Sequence, residues 1–159
     1  MGAPMPESLP WAELLGQLRE TPDRLRELTT GVDRDVLCTR SEPATWSPCE
    51  TIGHMCAAEL PFRACLLRIV LEDNPSISDV EETTEGFEPD TPVDVLLDTL
   101  GALRADTIAF LESLPPSARG RPAQHATGGP TTLRGQVEAL LLHDIECLEA
   151  LAREVVRGR

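Results

Sequence analysis

Four long stretches of this chain repeat their apolar residues every three or four positions, and that repeat decides what the chain can become. The clearest runs through Val93, Leu96, Leu97, Leu100, Leu103, Phe110, Leu111 and Leu114, one stripe along a helix opened by Thr91 as cap and Pro92. A second covers residues 11–30 with Leu14, Leu18, Leu25 and Leu28. Pro22 lacks a backbone donor, so the helix is expected to kink there or to break with Thr21 as a cap. The third begins at WSPCE, where Ser47 is a good N-cap, Pro48 suits the first helical position and Glu50 completes a capping box. It should run to about Asp73, with another kink at Pro61. The fourth is capped by Thr131 or Thr132 and carries Leu133, Val137, Leu140, Leu141, Leu148, Leu151 and Val155. No segment of comparable length alternates with a period of two, so no sheet is expected. The fold class is therefore all-α, a four-helix bundle with long connecting loops, and 159 residues make one domain over positions 1–159.

The connections exceed what a minimal bundle needs. Asp79 to Asp90 holds six acids in twelve positions, which reads as a solvated acidic loop, and 115–130 is rich in Pro and Gly. A net charge of −13 argues against a nucleic-acid partner, which needs clustered positive charge. No run is long enough to span a bilayer, and MGAPMPESLPWAELL lacks the layout of a signal peptide, so a cytoplasmic location is expected. The five cysteines are an odd number without a CxxC pair and read as reduced thiols.

Stepping 100° per residue places several polar side chains inward. On the fourth helix Cys147 lies at the centre of the apolar sector, Asp144 falls inside it and His143 sits at its edge. On the second long helix His54 lies on the inward face and Glu59 at its margin, while Cys56 points outward. Arg104 falls in the middle of the Val93–Leu114 stripe. An ionised Arg104 or Asp144 in a core must be paired, so Arg104 is expected to meet Asp144 or Glu59. Together these groups exceed what a bundle needs for structure and mark a site. His125, in RPAQHATGGP, is a loop residue placed to hang over it.

The order TWS..E..GH....E, then LR within a helix, then H..GGP.TL and LLHD...L, resembles the DinB/YfiT-like proteins over nearly the whole chain. That resemblance implies a bundle in which three histidines hold a divalent metal, one on the second long helix and an HxxxH pair on the fourth. Carried over, the first two ligands fall on His54 and His143, and the third falls on Cys147. Cys147 is open to three readings: a thiolate ligand, a nucleophile activated by His143, or a small core residue left after the metal site decayed. Asp144 and Glu59 are then candidates to orient the ligand histidines. The soft sulfur favours zinc, with nickel as the alternative. Family members include thiol-dependent S-transferases and metal-dependent hydrolases, which implies a small electrophilic substrate, with a low-molecular-weight thiol as co-substrate in the transferase case. The alternative is a non-catalytic bundle, its metal site degraded, that binds a small ligand or a protein. Family bundles pair as homodimers, though no feature of this sequence marks an interface.

Overall fold

The capping box forms as the sequence predicts: Ser47 Oγ accepts the Glu50 N–H, and the Glu50 carboxylate accepts the Ser47 N–H. It starts the helix that carries His54. In this computed structural model, which describes residues 8–84 and 86–159, that helix is α3 (Pro48–Leu71). The other long helices are α1 (Trp11–Thr29), α4 (Val93–Ser113) and α5 (Leu133–Arg157), and a short α2 spans Arg34–Cys38. Helix α1 packs on α4 and α5, and α3 packs on the same two. The consecutive pairs α1/α3 and α4/α5 therefore occupy diagonal corners of the bundle. None of the described helices is long and apolar enough to cross a membrane.

Several local expectations need correction. The break offered for Pro22 does not occur, since Pro22 lies inside α1, and Pro61 likewise lies inside α3. The carbonyl that Pro22 leaves without an intrahelical donor is that of Leu18, and Arg104 Nη1 donates to it at 2.8 Å. Thr91 does not cap α4, whose N-cap is Pro92 without a side-chain bond. Thr132, rather than Thr131, caps α5 by accepting the Gly135 N–H. A small sheet is present where none was expected. Strand β1 (Ser76–Ile77) runs parallel to β2 (Pro122–His125), which pairs antiparallel with β3 (Gly129–Thr132). Strands of two to four residues are too short to show a period, and a positive φ at Gly129 makes the turn between the last two. Cys56 does not point outward but donates its thiol to the Leu96 carbonyl of α4 at 3.4 Å.

The core has two apolar clusters. One gathers Leu14, Leu18, Phe62, Leu66, Ile108 and Val137 with Ile77 and Ala123 of the sheet, and the other Leu25, Ile52, Met55, Leu100, Leu151 and Cys147. A charged layer lies between them. Arg104 forks onto Glu59 at 2.9 and 3.2 Å and onto Asp144 at 2.6 and 3.0 Å, while Thr21 Oγ1 donates to Asp144 at 2.7 Å. The expected pairing of Arg104 is met by both carboxylates together, and all three side chains are at most 2% exposed. All five cysteines are free, with Cys38 and Cys49 Sγ 3.6 Å apart.

Candidate metal centre

His54 sits two turns into α3, buried to 2% exposure, and His143 lies on the neighbouring α5. Their Nε2 atoms face each other at 3.1 Å. The third member of the group comes from the acidic segment: Glu82 Oε1 is 3.1 Å from His143 Nε2 and Oε2 is 3.2 Å from His54 Nε2. Cys147 Sγ, one turn after His143, lies 3.7 Å from His143 Nε2. Among the described residues, the His, Cys and acidic groups whose ligand atoms fall close enough together for one ion are His54, Glu82 and His143.

The segment that delivers Glu82 is held down at several points. Its start is paired through β1 with β2. His125, on β2, accepts the Thr127 and Gly128 N–H groups at Nδ1, which places its ring proton on Nε2, 2.9 Å from Asp79 Oδ1. Further on, Phe87 lies over Gly53, where any Cβ would collide with its ring. A side chain at this position, one residue before His54, would push the Phe87 ring and its loop away from the α3 backbone. Trp46 closes the other side, its ring centroid 5.0 Å from that of His54.

Proton placement tests whether a cation fits. His54 Nδ1 is 3.2 Å from the Thr83 carbonyl, which can only accept, so Nδ1 carries the proton. Burial pushes the His54 pKa below its ordinary value, with Glu82 opposing and His143 adding to the shift, so the ring stays neutral and Nε2 is a bare lone pair. That lone pair faces a carboxylate oxygen at 3.2 Å. One proton on His143 Nε2 cannot bridge all three contacts, whereas a cation between them satisfies all three. The spacings of 3.1–3.2 Å come close to those an ion sets: tetrahedral zinc with nitrogen and oxygen ligands at about 2.0–2.2 Å holds them about 3.3–3.6 Å apart. The donors fit a divalent metal.

The remaining sequence candidates fall into place differently. Glu59 and Asp144 do not orient the histidines; their oxygens are taken by Arg104 and Thr21, and the Thr83 carbonyl does that work for His54. His125 reaches the site only through Asp79. Burial pushes the Cys147 thiol up to about 12, with Asp144, Glu82 and Glu146 adding to the rise. This does not favour a free nucleophilic thiolate, and only a cation offsets it. Glu82 and Thr83 were not singled out from the sequence, because an acidic segment without periodicity reads as solvated. The signal available was Gly53 beside His54 together with a lone phenylalanine among acids.

Comparison with known proteins agrees with this architecture. No curated protein matches the chain. Among solved structures, the chain is similar to YfiT from Bacillus subtilis, described as "a probable metal-dependent hydrolase with an unusual four-helix bundle topology". The two superpose with a TM-score of 0.78 over 95% of this chain and 90% of that one, at 17% identity, which establishes the shared fold. The model of the DinB superfamily matches residues 17–149, a span that holds α3, the acidic segment and both histidines. The chain belongs to the DinB superfamily.

Proposed function

We propose that the chain binds one divalent metal, zinc by its ligand chemistry, and uses it for hydrolysis or thiol transfer on a small electrophile. The carrying observation is the convergence of His54 Nε2, His143 Nε2 and the Glu82 carboxylate at 3.1–3.2 Å, electron pairs facing one another with too few protons to bridge them. In this reading His54, His143 and Cys147, all on helices, are the fixed ligands. Glu82, from a loop and with its side chain 64% exposed, would be the more exchangeable ligand. The metal supplies Lewis acidity and lowers the pKa of the attacking water or thiol.

The protein side of the chemistry follows from placement. The Thr83 carbonyl holds the Nδ1 proton of His54 and keeps Nε2 turned inward. Glu82, beside both histidines and largely exposed, would accept a proton from the incoming nucleophile. Trp46 and the α3 face exclude water behind His54, which strengthens every charge interaction in the site.

Zinc titration of chelator-stripped protein, followed by elemental analysis, tests this. Wild type should take up about one equivalent, His54→Ala and His143→Ala should lose it, and Glu82→Gln should retain zinc with weaker affinity. Wild type without zinc, or His54→Ala binding as well as wild type, would overturn the reading.

A further inference from the structure

Two cavities meet at His143. One, of about 300 Å³, is walled by Ala58, Phe62, Val80 and Leu140, with Asp79 at its edge. The other, of about 390 Å³, lies beside Trp46, Thr51 and Cys147 and reaches Glu154. Glu82, His143 and Glu146 line both. No arginine lines either cavity among the described residues, and the chain contains no lysine.

From this we infer that the site takes a small organic cation, an amine with a compact apolar body, and turns away carboxylates. The inference rests on the metal reading above for where the reacting atom sits. A divalent ion held there would be met by the Glu82 carboxylate and the Cys147 sulfur, and neither is counted on to draw the ligand. Glu146 then remains, with no ion pair among the described residues. Asp79 lies at the edge of the first cavity as well, with one hydrogen bond to the His125 ring. Glu154 is engaged by Ser41 and Arg157 and contributes less. A carboxylate entering this space gives up hydration and finds no guanidinium to replace it. An ammonium finds Glu146, and its hydrocarbon part finds the Phe62 and Leu140 wall. Glu146 lies three residues after His143, about 4.5 Å along the helix. The amine should therefore sit only a few bonds from the electrophilic centre.

Benzylammonium, benzyl alcohol and benzoate, matched in size, are the probes. Each is titrated into metal-free and zinc-loaded protein, with binding followed by amide chemical shifts along α3 and α5. Benzylammonium should bind at least about tenfold more tightly than benzoate to the metal-free protein. Glu146→Gln should reduce that ratio by about threefold or more and leave benzyl alcohol unchanged. Benzoate binding as well as benzylammonium to the metal-free protein would overturn the inference, as would a preference that survives both Glu146→Gln and Asp79→Asn when read in a Glu82→Gln background, where no Glu82 charge remains without the ion. Failure of the protein to load zinc would refute the metal reading alone, because the charge preference is read without metal.

Discussion

Replacing Arg104 with methionine removes the cation that pairs both buried carboxylates in the layer between the two apolar clusters. Its guanidinium makes five hydrogen bonds, two to Glu59, two to Asp144 and one to the Leu18 carbonyl. Without it, two carboxylates at 1% exposure face each other, with Thr21 the one remaining donor to Asp144. The Leu18 carbonyl, already without its helical partner because of Pro22, loses its substitute. Breaking a buried pair in this way costs about 3–5 kcal/mol, against a total stability of about 5–15 kcal/mol for a domain. For a chain of this size, about 2–4 °C is lost per kcal/mol, so the melting temperature should fall by about 6–20 °C. Urea unfolding followed by helical circular dichroism measures the loss directly. A triple variant that also changes Glu59 and Asp144 to leucine should recover most of it, because a well-packed apolar layer carries no desolvation cost. If Arg104→Met unfolds within about 1 kcal/mol of wild type, the layer does not have the energetics argued here.

Three further outcomes are expected. Cys147→His should hold zinc at least as well as wild type and Cys147→Ala should weaken it sharply; if alanine leaves affinity unchanged while histidine costs the core about 1–3 kcal/mol, Cys147 is packing alone. Gly53→Ala should leave the fold as stable or up to about 1 kcal/mol more so, because alanine favours helix, yet reduce zinc affinity about tenfold by pushing Phe87 and its loop away; calorimetry showing unchanged affinity would mean that the loop is dispensable. Because burial depresses the His54 pKa, the folded metal-free protein binds fewer protons than the unfolded chain once pH drops below about 6.5, so stability is present above that pH and declines below it. His54→Gln lacks this component, and urea midpoints of the two proteins that stay parallel from pH 8 to 5 would contradict the argument.

The long helices were legible because each repeats its signal over many turns, and the caps at Ser47 and Thr132 announced two of them. Arg104 was legible for the same reason, since a charge inside a leucine stripe has to find partners. What the pattern could not supply was where backbone groups find partners outside their own helix. Pro22 reads locally as a kink, and only the fold reveals that Arg104 occupies the freed carbonyl. The strands and α2 are too short for periodicity, and the Thr91 cap gave way to Pro92. At the site, both histidines followed from helix geometry; Cys147 stands beside His143 without joining the His54–Glu82–His143 group, and Glu82 depends on a loop path that no local pattern encodes.

That loop path has a consequence for how the site can change. The segment from Ser78 to Thr84 is an arch with both feet fixed, one in the β1–β2 pairing and the other under Phe87 at Gly53. Its span supplies a metal-facing carboxylate, the carbonyl that sets the His54 tautomer and part of the cavity wall, yet it contributes little to the four-helix core. The arch is thus a cassette: a library randomised at Ser78, Val80 and Glu81 would recast the pocket's shape and charge while the bundle, the feet and both histidines stay as they are. Chemistry and stability are carried by different stretches of chain, so a selection for new substrates on this scaffold draws little on its folding free energy.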